Sequence, residues 1–499
     1  MATNMQVVRD VFFKGYNDTI APEHLPDQYL ADALNCYIRT REVVKRNGYT
    51  IIGDAIAGGN PIQGLKGVRF ADGTKRSYAV IGGAVYYWTG TGNYTLLGGT
   101  LSTTEQVDIV VANNAVYFFD GVNTVVKVNS SNTLSTVVAI PIGKYAIWFH
   151  NQLHIAGVSA TPNRLRSSDI GDPETYTGGN SSSLDVNPND GDYISGLGTI
   201  KDELIVFKTQ RIWAMTGFGT SALTLADLNE RITGFGTLSH RSIVNIGNDL
   251  LYLGFLGDKP HIRSLQRTRE GVVVDGGVVS ADIENSLNGA NKAALSMVAG
   301  VFDGRNARFA FPHGGSSINN RVYVYDTIIK GWVRHTGINA SVWDSFAISN
   351  TPQIYFGESD SAGKVYRMDT TTSDNGAAIN FSLTSRRYGG EQPERKKKWK
   401  YIKIAAKETG NFNVTIDASR DGFGFDNLGT LNLSGTGSIF DMIVLDTSRL
   451  GETDMKKETF NLAKVIAYHT QFKMHDTSAT SSVTIRNWEV FNIPRHLRE

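Results

Sequence analysis

A single cysteine, Cys36, stands among 499 residues. One thiol closes no intramolecular disulfide and anchors no multi-cysteine metal site, so a disulfide-stapled module and a cysteine-held zinc centre are both excluded. A surplus of one charge sign is missing as well: 49 Lys and Arg face 48 Asp and Glu. That balance does not advertise nucleic acid or an anionic membrane surface, although a local patch can hide inside it. No apolar run approaches the ~18 residues that a membrane-crossing helix needs, so no stable membrane insertion is expected. The opening MATNMQVVRDVFFKG puts Arg9 and Asp10 where a secretory signal keeps an unbroken apolar core. The expectation is a soluble chain made in a cytosol.

Glycine (52 residues) and aromatics (10%) are plentiful, which favours many strands joined by tight turns. The stretch Leu184 to Gly217, LDVNPNDGDYISGLGTIKDELIVFKTQRIWAMTG, shows the unit most plainly. An Asn/Asp/Gly turn leads into Tyr193 to Leu197, a second turn at Lys201–Asp202 into LIVF, and a third at Thr209–Gln210 into IWAM. Apolar runs of four or five residues between turn formers read as consecutive antiparallel strands. Such a small sheet buries both faces only when similar sheets stack beside it. The unit indeed recurs, as GGAVYYW, NNAVYFF, IWFHNQLHIAG, DLLYLGFLGDKPHIRSL, NNRVYVYDTIIKGWVRH and QIYFGESDSAGKVYRMD. Repetition of small antiparallel sheets predicts an all-β chain built on a β-propeller of about seven blades.

Three segments are expected. Residues 1–53 form an N-terminal arm, in which LADALNCYI makes a helical turn or two and Tyr49 to Ile52 is placed to close the ring of blades. Residues 54–372 form the propeller. After a small polar linker, residues 379–499 form a β-sandwich, with strands in FNVTIDAS, LNLSG, IFDMIVLD, ETFNLAKVIAYHTQFKM and SVTIRNWEVFNIP.

Four patterns invite a chemical reading. His150 and His154 have the spacing of zinc-protease histidines, but on a strand residues i and i+4 sit ~13 Å apart, and Asn151 stands where the glutamate belongs. Asp185, Asn187 and Asn189 imitate the start of a calcium loop, yet Asp190 occupies the glycine position and Gly196 the position of the closing glutamate; a turn capping its own backbone is the plainer reading. SSDIGDPETY (Ser167 to Tyr176) is an imperfect Ser-x-Asp-x-Gly box of the kind that decorates sialidase propellers, where it is a structural turn. ERKKKWK (Glu394 to Lys400) is the strongest basic run and reads as a solvated loop ahead of a strand, with phosphate contact as the alternative. No carboxylate pair is placed for acid–base work. The expectation is therefore no catalytic residue, no cofactor and no metal, with occupancy of the Asp185–Asp192 turn left open.

Two stretches carry a family resemblance. LPDQYLADALNCYIRTREVVKRNGY holds a Leu-Pro, an Ala-x-Asn (Ala33–Asn35) and an Arg-x-Gly (Arg46–Gly48) ahead of the first blade. SSDIGDPETYTG through DGDYISGLGTIKDELIVFKTQRIWAMTG holds an aspartate turn, a Leu-x-x-Phe-Lys and an Ile-aromatic element, and GTLSHRSIVNIGNDLLYLG continues the style. In these the chain resembles bacteriophage tail hub and nozzle proteins, the P22-type tail stabilisation and T7-type tubular tail proteins. The resemblance implies a virion component without enzymatic activity, assembled into a homo-oligomeric, typically hexameric ring through which DNA is ejected. Its implied partners are a portal, neck or adaptor protein and tail fibre proteins. A carbohydrate-binding or glycan-degrading propeller of tailspike type is the competing expectation.

Overall fold

The computed structural model describes residues 5–10, 14–39, 42–56, 58–219, 221–269, 272–389, 394–434 and 455–494. They fall into two compact units, Thr50–Val322 with Ile338–Met368, and Met1–Tyr49 with Tyr323–Gly337 and Asp369–Glu499. Among the described residues the single α-helix is the five-residue Glu284–Asn288.

The first unit is a β-propeller. Six four-stranded antiparallel sheets have innermost strands Ile62–Arg69, Asp108–Ala112, Tyr145–Phe149, Ile194–Ile200, Val244–Asn245 and Ala340–Phe346. The hairpin Ala299–Phe302/Asn306–Phe311 takes the place between the last two. Neighbouring innermost strands pack in a closed cycle, with Ala340–Phe346 meeting Ile62–Arg69. The outermost strand of the last blade is Gly48–Ile51, and next to it the Ile52 N–H donates to the Val365 carbonyl at 2.9 Å. A strand from upstream of the first blade thus completes the last.

The sequence dictates this stacking through its period of two. In the second blade Asn113 and Asn114 both take positive φ (43° and 60°), the two-residue hairpin geometry that asparagine tolerates. Every residue of the following strand, Ala115–Phe119, is buried. Val116 and Phe118 pack with Val80 and Val85 of the first blade, while Tyr117 and Phe119 pack with Leu153 and Ile155 of the third. Leu204 and Val206 likewise face the third blade, and Ile205 and Phe207 the fifth. Each such side chain stabilises the stack by roughly 1.5–3 kcal/mol on burial.

The second unit holds two sheets. One orders Cys36–Arg39, Glu42–Lys45, Thr484–Pro494, Lys397–Lys407 and Met455–Ala467, with Gln6–Arg9 added along Thr484–Pro494. The other is the continuation of a nine-stranded sheet that begins with Ala299–Phe302, Asn306–Phe311 and Arg321–Asp326 and goes on through Gly331–Thr336, Asp32–Leu34, Phe381–Thr384, Thr470–Asp476, Asn413–Arg420 and Phe425–Asn432. Their inner faces meet. The Tyr37 ring stands edge-on to His335 with centroids 5.1 Å apart, and Trp488 Nε1 donates to the Tyr388 hydroxyl at 2.6 Å.

Four expectations are corrected. Residues 6–45 are not an arm, because their strands pair inside both sheets of the second unit. LADALNCYI is strand, not helix: Asn35 takes φ 53° and divides it into Asp32–Leu34 and Cys36–Arg39. The repeat at 319–335 is not wholly a propeller element. Arg321–Asp326 and Gly331–Thr336 follow Asn306–Phe311 in one sheet, but from Tyr323 onward the repeat belongs to the second unit, where Trp332 accepts from Tyr16 N–H at 3.1 Å and Arg334 pairs with Asp32 at 2.9 Å. ERKKKWK is not a solvated loop: the strand begins at Lys397, and Lys397 and Trp399 are buried. The strand expected in Ile439–Asp446 lies outside the described residues.

Candidate functional site

The four sequence patterns are absorbed by structure. His150 sits in a turn at φ 48°, its ring stacked on Phe218 at 5.0 Å. His154 lies on the buried strand Gln152–Ala156, with Nδ1 2.8 Å from Ser167 Oγ and Nε2 3.2 Å from the Phe149 carbonyl. Burial drives its pKa down to about 4, so the ring is a neutral core group.

In the Asp185–Asp192 turn each carboxylate is engaged. Asp185 takes a bidentate pair from Arg164 at 2.7 and 2.8 Å. Asp190 receives the buried Lys208 ammonium at 2.7 and 2.9 Å, and that ammonium also reaches the Asn187 carbonyl at 3.1 Å. Asp192 accepts from the backbone N–H groups of Thr209 and Gln210, each at 3.0 Å. Lys208 thus supplies within the chain the positive charge that a bound cation would bring. In the SSDIGDPETY stretch Asp169 accepts from the N–H groups of Ile170 and Asn180, each at 2.8 Å, and Asp172 from Glu174 N–H at 3.0 Å. It is a turn tying its own backbone.

Two nodes that the sequence marked only through the family resemblance, and not as sites, tie strands together. In the propeller, residues Gly236–Ser242 run across the inner edges of the blades. Arg241 donates to the carbonyls of Gln63, Val107 (3.0 Å) and Ser341 (3.2 Å), on or beside three different innermost strands. His240 Nδ1 accepts from Leu197 N–H at 3.2 Å, which leaves Nε2 to face Asp108 at 3.2 Å. Ser239 Oγ donates to the Val298 carbonyl at 2.6 Å. Burial pushes the Arg241 guanidinium down to about 10, partly offset by Asp108. Burial also works to raise Asp108, but the charge and hydrogen bond of His240, the Ala146 N–H and Arg241 leave it below the usual carboxylate range. A charged strap therefore occupies the axis where an open propeller would receive a ligand.

In the second unit Arg46 spends all five of its donors. Nε reaches Asn35 Oδ1 at 2.9 Å, one terminal nitrogen Asp374 Oδ1 at 2.7 Å and the Asn47 carbonyl at 3.1 Å, and the other Asp374 Oδ2 at 2.5 Å and the Thr336 carbonyl at 2.8 Å. Asn35 Nδ2 bonds Thr336 Oγ1 and the Asn380 carbonyl. At Gly48 an added Cβ would lie 1.9 Å from the Ser373 carbonyl oxygen. Next to Arg46, the buried Lys45 spends its three donors on Asp476 (2.7 Å), the Ser478 carbonyl (2.8 Å) and Ser481 (2.6 Å). The Ala-x-Asn and Arg-x-Gly elements are thus halves of one network. The sequence offered those two short elements and a pair of adjacent cations, Lys45 and Arg46, but not their joining.

No protein-family model matches the chain, and no curated protein matches it. Solved structures align with part of it. Virginiamycin B lyase from Staphylococcus aureus aligns at 12% identity over 64% of this chain and 97% of its own, with a TM-score of 0.41. The Pan2 WD40 domain of Neurospora crassa aligns at 8% identity over 67% and 98%, also at 0.41.

Proposed function

We propose that the chain is a structural subunit of a bacteriophage tail, one copy of a ring of identical subunits around the path of the ejected DNA. One observation carries the reading: three elements of the resemblance, Ala33–Asn35, Arg46–Gly48 and GTLSHRS, fall in the two nodes. Ala33–Asn35 and Arg46–Gly48 build the Arg46 network, and GTLSHRS is the strap across the blades. What the chain has in common with tail hub and nozzle proteins therefore lies in framework positions. A glycan at the propeller axis would have to displace Arg241 from three carbonyls, so the carbohydrate reading is not preferred.

A closed ring of identical subunits uses heterologous contacts. Native mass measurement of the purified chain with its neck or portal partner, together with negative-stain images of the parent particle, tests the proposal. A ring of several copies is the expected result, and a strictly monomeric component at one copy per particle ends it.

A further inference from the structure

We infer that the outer face of the six-stranded sheet in the second unit carries a binding groove for the phosphate backbone of double-stranded DNA. The inference rests on the tail reading only for its choice of polyanion. The groove encloses about 520 Å³, lined by Arg9, Lys403, Lys457, Arg486, Asn487 and Glu489 among others. Four cations and one carboxylate line it, in a chain whose total charge is +1.

Strand register explains the gathering. Glu489 stands between Arg9 on one neighbouring strand and Lys403 on the other. One step along the same face, Ala405 stands between Asn487 and Lys457. Rows on one face repeat at ~7 Å and strands at ~4.8 Å, so the charges spread over a surface instead of converging on a point. Between Ala405 and Ala406 the pairing with the last strand slips by one residue. Such a bulge re-aims a side chain, and here Arg486 joins the groove beside Asn487.

Glu489 is already neutralised by Arg9 at 2.7 Å. Lys403 and Lys457 have no carboxylate within ion-pair distance among the described residues. Beside the groove, among the described residues, the rings of Tyr401 and Phe491 lie against each other at 4.4 Å, Phe491 is 7% exposed, and Lys403 Nζ lies over both, 5.7 and 5.2 Å from their centroids. No open ring is offered for base stacking, which single strands use. A dispersed basic surface without a stacking platform suits a duplex backbone, which presents one charge per ~1.7 Å of axis.

Fluorescence anisotropy of the full-length chain with a labelled 20-base-pair duplex tests this. With Arg9 engaged by Glu489, about three phosphates are neutralised and affinity falls ~40-fold between 50 and 200 mM salt. The pair Lys403→Gln with Lys457→Gln, both at exposed positions, should cut the slope of log affinity against log salt by about two thirds, and Lys403→Glu with Lys457→Glu should weaken binding at least tenfold. Lys201→Glu, on an exposed propeller turn, should change neither. An unchanged slope in the Gln pair overturns the inference, as does tighter binding of a single strand or of polyglutamate than of the duplex. Chains that form the ring but ignore DNA overturn only this inference, whereas monomers that bind duplex through these lysines retain it and end the ring.

Discussion

The Arg46–Asp374 pair shows what a buried charge does here. Burial raises the Asp374 carboxyl above its usual range despite the bidentate guanidinium that draws it down. Desolvation therefore outweighs the attraction, and the pair is a fastening specific to this geometry more than a source of net stability. Removing one partner is a different matter. Asp374→Ala strands a guanidinium that is fully buried, and the expected loss is about 3–5 kcal/mol in chemical denaturation. Exchanging both partners for apolar residues of similar volume should cost markedly less. Equal losses in the two variants would show that the charges themselves, not the stranded partner, set the cost. At Gly48 the constraint is steric. Gly48→Ala places a Cβ against the Ser373 carbonyl, and a loss of several kcal/mol is expected because neither backbone has room to move.

At the scale of elements, local alternation made the blades legible and long-range pairing did not. Ile194–Ile200, Glu203–Lys208 and Arg211–Met215 fall where the sequence of Leu184 to Gly217 places strands, because turn chemistry and period-two burial are local. The repeat at 319–335 has the same local signature as a blade, yet its second strand is held by Asp32 and Gly15, some three hundred residues away. Nothing within the repeat encodes that partner. Lys397 and Trp399 were hidden for the converse reason: a basic run looks solvated until strands pair on both sides of it. The role of the strap was not legible, because Arg241 acts on backbone carbonyls, which carry no sequence. It nevertheless bears on stability. Arg241→Ala leaves three inner-strand carbonyls without their charged donor, so a loss of about 3 kcal/mol or more is expected in the unfolding of the propeller. Arg241→Lys should recover only part, since one ammonium cannot reproduce a planar fork. Full recovery by lysine would reduce the strap to a point charge. The same pairing logic decides truncation. Removing residues 1–45 deletes strands from both sheets of the second unit, so the expected outcome is loss of that unit's fold instead of a selective loss of assembly.

For the molecule as a whole, the two units should answer acid in opposite directions. His154 belongs to the propeller, and burial holds its pKa at about 4 against a usual 6.5. Between those values the unfolded chain binds the proton more readily than the native one, so the propeller loses stability as pH falls from 6.5 toward 4. The full shift corresponds to about 3 kcal/mol. Asp10 belongs to the second unit, beside the Tyr388 hydroxyl and with Arg386 at 3.2 Å. Burial, only partly opposed by those two neighbours, raises its pKa from 3.8 to about 6. Here the native chain keeps its proton where the unfolded chain has released it, so this unit gains stability as pH falls from 6 toward 4, again by about 3 kcal/mol at most. Other carboxylates titrate in the same range, so the useful quantity is the difference between the wild type and a variant that cannot titrate. Asp10→Asn keeps an acceptor for Tyr388, and His154→Gln keeps a polar group on the buried strand. Hydrogen exchange read peptide by peptide, corrected for its intrinsic pH dependence, should show His154→Gln flattening the pH drift of the peptide around Gln152–Ala156 only. Asp10→Asn should flatten the drift of the peptides around Tyr388 and Trp488 only. If either variant moves both sets of peptides, or both sets weaken together in the wild type as the variants stay unchanged, then the two titrations are not what divides the molecule's response to acid.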